Sequence, residues 1–118
     1  METPETIMQW NKDTFPETTL SEQMEKFWLE EDETNNAKSN KKRLSELADM
    51  VITAYGLARF ENYLPFFITA IIEIDRWIGL IEIDIPNFYK KLQKAIDKKM
   101  AINRKRQWHK VNGEYRHI

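Results

Sequence analysis

Only three glycines and four prolines punctuate the 118 residues of this chain. Both residue types break regular structure, so their scarcity favours long helices joined by short connections. Apolar side chains recur at helical spacing, most clearly at Leu44, Leu47, Ala48, Val51, Ile52 and Tyr55. The length suits one domain, residues 1–118, with a core of its own. The chain has no cysteine, which excludes disulfides, thiolate zinc sites and a cysteine nucleophile and suits a reducing cytoplasm. The two histidines, His109 and His117, lie near the C-terminus without metal-ligand spacing. Met1-Glu2-Thr3-Pro4-Glu5 has neither the basic nor the apolar region of a signal peptide. The most apolar stretch, Leu64 to Ile83, carries Glu73, Asp75, Arg76 and Glu82, which argues against a membrane span.

The predicted architecture is all-α: a bundle of four main helices built on an antiparallel helical hairpin, with a short N-terminal helix and a polar C-terminal tail. The short helix runs from about Glu5 to Asp13, before Phe15-Pro16. Thr19-Leu20-Ser21-Glu22 is a capping box that opens the first main helix, with Leu20, Met24, Phe27 and Trp28 as its apolar stripe. The polar run Thr34 to Asn40 forms the turn of the hairpin, and the second main helix starts near Lys41. Asn62-Tyr63-Leu64-Pro65 breaks the chain, and Pro65 fits the first turn of a helix over 66–80. That helix is apolar on more than one side, which predicts burial all round and a homo-oligomer, dimer or tetramer, formed through it. An alternating strand over 79–83 is the weaker alternative. Asp84 and Pro86 open the last helix, which runs to roughly Arg106. From Gln107 the chain is a polar and aromatic tail.

Two acid pairs stand out at matched spacing: Glu30 with Glu33, and Glu46 with Asp49. Residues three apart lie on one face of a helix, and an antiparallel hairpin with a short turn brings the two pairs to a similar height. Four carboxylates at one point repel unless a cation lies between them. Carboxylate oxygens suit a hard divalent cation, which commonly shares its site with substrate phosphates. The pattern therefore predicts a magnesium site on Glu30, Glu33, Glu46 and Asp49.

Net charge is −1, but it is unevenly spread. Residues 1–35 hold ten acids against Lys12 and Lys26, and residues 87–118 hold ten basic residues against Asp97 and Glu114. The split fits either a metal end and a phosphate end of one site or complementary helix surfaces.

The Glu-x-x-Glu and Glu-x-x-Asp pairs, with Glu46-Leu47-Ala48-Asp49-Met50-Val51-Ile52 around the second, resemble the signature of the MazG-like all-α nucleoside triphosphate pyrophosphohydrolases. Lys99-Met100-Ala101-Ile102-Asn103-Arg104-Lys105-Arg106-Gln107-Trp108 resembles the C-terminal signature of the phage and bacterial dATP/dGTP diphosphohydrolase-like branch, as do Trp10 and Thr14-Phe15-Pro16. The resemblance covers most of the chain and is weakest in the helix over 66–80. It departs from the fuller Glu-Glu-x-x-Glu motif at Leu29, where the family has an acid, and at Thr34, where it often has leucine. Glu31, next to Glu30, points off to one side and is a weak substitute.

The resemblance implies Mg²⁺- (or Mn²⁺-) dependent cleavage of a (deoxy)nucleoside triphosphate to monophosphate and pyrophosphate, with Glu30, Glu33, Glu46 and Asp49 as metal ligands and catalytic residues. Lys99, Asn103 and Arg106 form one helical stripe able to clamp the remaining phosphates, the cations by charge and the amide by hydrogen bonds. The same stripe also fits a solvated basic helix end that complements the helix dipole. Trp10 and Phe15 are candidates for stacking on the base, although aromatics at helical spacing commonly serve the core. The base and the general base are left open. The competing expectation is a non-catalytic helical module that binds nucleotide or, through its basic C-terminal end, nucleic acid. The negative net charge and the short basic stripe argue against nucleic acid.

Overall fold

The computed structural model describes residues 1–112 and 114–117. Among them are five α-helices: α1 (Pro4–Thr14), α2 (Leu20–Asn36), α3 (Asn40–Leu57), α4 (Leu64–Ile81) and α5 (Phe88–Lys105). A 3-10 turn, Glu82–Asp84, separates α4 from α5. A hairpin of β1 (Trp108–Val111) and β2 (Glu114–His117) ends the fold. No helix is long and apolar enough to cross a membrane among the described residues.

Local chemistry sets the helix ends. Thr3 and Thr6 form a capping box ahead of Pro4. Before α2, Thr19 Oγ1 accepts from the Glu22 amide at 3.1 Å, and Glu22 Oε1 accepts from the Thr19 amide at 3.0 Å, the reciprocal pair expected of this motif. Ser39 caps α3 by accepting from the Lys42 amide at 3.2 Å. The connection from Ala37 to Ser39 is short enough to fold α2 and α3 into the expected antiparallel hairpin.

Helix α3 is the centre of the molecule and packs against α1, α2, α4 and α5. Its buried residues run almost without a break from Leu47 to Leu57, as a helix covered on several sides requires. Phe27 from α2, Ile7 from α1, Ile74 and Trp77 from α4, and Leu92, Ile96 and Met100 from α5 complete the core.

Two expectations, the start of the last helix and the form of the C-terminal tail, are corrected. Helix α4 leaves an apolar face exposed in the single chain, the face for which the sequence expects a partner copy. Ala70, Ile74, Trp77 and Ile81 form its one buried stripe, while Phe66, Ile68, Ile71, Ile72 and Leu80 are exposed. The residues of the alternative strand extend α4 to Ile81 and then enter the 3-10 turn. Helix α5 starts at Phe88 rather than Asp84, because the turn takes Asp84 and Asn87 adopts a left-handed conformation (φ 56°) before the first helical residue. The C-terminal segment is a hairpin with Trp108 opposite His117 and Val111 opposite Glu114. Its sequence signal is Asn112-Gly113 between two short alternating runs. Asn112 has φ 51°.

Candidate metal centre and its cleft

The α2–α3 hairpin brings together three of the four predicted carboxylates. One oxygen each from Glu30, Glu46 and Asp49 lies within 4.8 Å of the others. Glu46 and Asp49 share a face of α3, one step outside its fully buried Leu47, Ala48 and Met50. Glu30 lies on the seam of α2 that faces α3. That seam advances through Gln23, Phe27, Glu30 and Thr34, the alternating steps of a helix packed on a helix.

Glu33 does not join the group and is exposed. The seam position after Glu30 belongs to Thr34, which is fully buried; its hydroxyl donates to the Glu30 carbonyl at 3.0 Å and lies 3.1 Å from Met50 Sδ. Leu29, beside Glu30 in sequence, is 64% exposed and stands outside the carboxylate group.

The triad is held against two ammonium groups. Lys99 Nζ from α5 lies 2.8 Å from Asp49 Oδ2. Lys26 stands one turn before Glu30, its ammonium 4.9 Å from the Phe15 ring centre and 5.6 Å from that of Trp108. Burial lowers the Lys26 pKa, opposed by the charges of Glu30 and Asp49. Burial first, then Asp49, raises Glu30 to about 7; Lys26 and Lys99 act against the rise and Glu46 adds to it. Lys26 has no role in the sequence analysis, although its place one turn from Glu30 was a usable signal.

Glu30, Asp49 and Lys99 line a cleft of about 940 Å³ between α2, α3 and α5. Asn103 and Arg106 continue its α5 wall, so the predicted basic stripe and two of the triad acids face one space. Trp10 lines the far end with Asn11 and Gln23. Phe15 is corrected. It is 2% exposed and edge-packed by Trp10, Trp108 and Tyr115 at ring-centre distances of 5.4, 5.0 and 4.9 Å. Its work is to seat the hairpin, and no face of the ring is left for a base. Trp108 Nε1 also donates to the Asn103 carbonyl at 3.4 Å, and the Glu17 amide donates to Tyr115 Oη at 3.4 Å. The hairpin so held supplies Trp108, Tyr115, Arg116 and His117 to the cleft lining.

Buried amides brace the same end. Gln23 Nε2 donates to the Thr53 carbonyl at 2.9 Å, and Arg59 Nη1 donates to Asn11 Oδ1 and to the Asn11 and Phe15 carbonyls within 3.0 Å. Gly56 makes room for them: a Cβ there would stand 2.6 Å from Gln23 Nε2 and 2.7 Å from Asn11 Nδ2. Glu31 turns away from the triad, as the sequence predicts. Its Oε2 is buried without a hydrogen-bond partner, 3.6 Å from the Arg76 guanidinium that also holds Glu73 at 3.1 Å. Burial first, then the Glu73 carboxyl, raises Glu31 to about 7.

Comparison of the chain with protein-family models, with curated proteins and with solved structures found no match.

The donor set fits a hard divalent cation. Three convergent carboxylates are a compact oxygen site, and Glu30 is raised first by burial and then by the charge of Asp49.

Proposed function

We propose that the protein is a divalent-cation-dependent nucleotide pyrophosphohydrolase that cleaves a (deoxy)nucleoside triphosphate to monophosphate and pyrophosphate. The observation that carries the proposal is the convergence of Glu30, Glu46 and Asp49 beside a cleft whose opposite wall presents Lys99, Asn103 and Arg106. The resemblance of the acid pairs to the MazG-like signature supports the reaction type.

Glu30, Glu46 and Asp49 would hold Mg²⁺ or Mn²⁺. A cation bound there supplies charge neutralisation at the phosphate oxygens and polarisation of the α-phosphorus. Lys99 and Arg106 orient and neutralise the outer phosphates, and Asn103 adds hydrogen bonds without charge. Trp10 offers an aromatic surface at the end of the cleft where the base would rest. Attack of water, with loss of its proton to solvent, forms a new P–O bond at the α-phosphorus. The α–β bridging bond breaks, and its electron pair leaves with pyrophosphate.

The exposed apolar face of α4 supports a homo-oligomer formed through that helix, since such a face is characteristic of an interface. The absence of cysteine supports a cytoplasmic location. A second reading, a helical module that binds nucleotide without turnover, is favoured by one observation: Lys99 already satisfies Asp49 with a charge of the protein's own.

A panel of ribo- and deoxynucleoside triphosphates, assayed for pyrophosphate with Mg²⁺, Mn²⁺ or EDTA, separates the two. Metal-dependent pyrophosphate release from at least one nucleotide is expected. Nucleotide binding with no turnover across the panel would establish the second reading instead.

A further inference from the structure

A second groove of about 500 Å³ opens from the cleft between the start of α3 and the outer face of α5. The two spaces share Lys41, Leu44, Ala95 and Lys98 as walls, so one continues into the other. Lys91 and Lys94 carry the basic lining onward along α5. Among the described residues, none of Lys41, Lys91, Lys94 and Lys98 has a carboxylate within ion-pair distance. Asp84, the acid in the groove wall, is engaged by Asn40 Nδ2.

This charge arrangement works against the fold. The first turn of α3 has no acid but carries Lys41, Lys42 and Arg43, where the helix dipole disfavours cations. Lys91, Lys94 and Lys98 are like charges at repelling spacing on one face of α5. Unpaired cations collected from two helices along a continuous trough are the footprint of an extended polyanion.

We propose that the groove is the track of a single-stranded nucleic acid whose 5′-triphosphate end occupies the cleft, so that the substrate class includes 5′-triphosphorylated strands as well as free nucleotides. This rests on reading the cleft as a triphosphate site. A free nucleotide carries no charge beyond its triphosphate and leaves the groove lysines unpaired, whereas a strand places a phosphodiester beside each. Continuity of the groove with a cleft read as a triphosphate site is what favours a strand over an acidic peptide. The sequence argued against nucleic acid on net charge and a short basic stripe. The fold joins that stripe to Lys41 and to the outer face of α5, and the joined surface is what a strand would meet.

The test is fluorescence anisotropy of a short 3′-fluorescein-labelled single-stranded RNA bearing a 5′-triphosphate, titrated with the full chain in EDTA across a salt series. The comparison variant is Lys91→Glu with Lys94→Glu, two exposed residues outside the cleft. Wild type is expected to bind with steep salt dependence. The variant should bind roughly tenfold more weakly, with a log–log salt slope shallower by about 1.4, the release of two phosphate contacts on a single strand. Its helical circular dichroism and its pyrophosphate release from free nucleotides should be unchanged. Equal binding by variant and wild type, or no binding by wild type at low salt, would overturn the proposal. So would displacement by polyglutamate as effective as by unlabelled RNA, which would mark an acidic protein as the occupant. If free nucleotides are hydrolysed but the strand is not bound, the groove assignment alone fails. If the strand is bound through these lysines but no triphosphate is cleaved, the hydrolase reading fails and the strand is a ligand rather than a substrate, while the groove assignment stands.

Discussion

Single side chains decide which acids of this protein matter. Glu30 and Glu33 are alike in sequence, yet only Glu30 lies on the seam of α2, because Thr34 takes the next inward position. Spacing alone placed both on one face; it could not say which of them the seam would use, since a seam alternates steps of three and four. Glu31 is set apart by its surroundings, beside Glu73 and one shared guanidinium. Its pKa is raised from 4.5 to about 7, chiefly by burial. Below the lower value the folded and unfolded chains both carry the proton, and the fold loses nothing. As pH rises from 4.5 to about 7 the unfolded chain gives up the proton while the folded chain keeps it, so the fold forgoes stability across that window and the loss is complete above it. Glu31→Gln should therefore match wild type in thermal unfolding at pH 4 and exceed it at pH 8, by roughly 3 °C. An equal or lower melting temperature at pH 8 would contradict this account of Glu31.

At the scale of elements, α2 and α3 were the most legible parts, because a capping box, a polar turn and a sustained apolar period all point the same way. The C-terminal hairpin was not. Each strand has only four residues, too few for alternation to stand out, and the aromatics that seat the hairpin come from α1 and the α1–α2 connection. Trp108→Ala removes ring contacts with Trp10, Phe15 and His117. At about 0.5–1.5 kcal/mol for each aromatic pair, it should detach the hairpin and leave the helices intact. The expected signature is an unchanged helical spectrum with a higher KM for the triphosphate. At the crossing of α1, α2 and α3, Gly56→Ala gains helix propensity but drives a methyl into two buried amides. Overpacking should win, lowering unfolding stability by about 1–3 kcal/mol in urea titration.

For the whole molecule, the apolar face of α4 and the cleft lie on different helices, so assembly and chemistry can be probed separately. The sequence expects α4 to be buried all round with the help of a partner copy, and the single chain covers one stripe of it. Ile68→Glu with Ile72→Glu should reduce the sedimenting species to the 14.2 kDa monomer. A wild-type chain that already sediments as a monomer would remove the oligomer from the account. The central claim is that Glu30, Glu46 and Asp49, and not Glu33, form the working cation site. The most direct measurement is the rate of Mg²⁺-dependent pyrophosphate release by wild type, Asp49→Asn and Glu33→Gln, side by side on the best nucleotide of the panel. Asp49→Asn should lose about a hundredfold or more, with its helical spectrum retained, while Glu33→Gln stays within about twofold of wild type. Full activity in Asp49→Asn, or a loss in Glu33→Gln as large as that of Asp49→Asn, would contradict it.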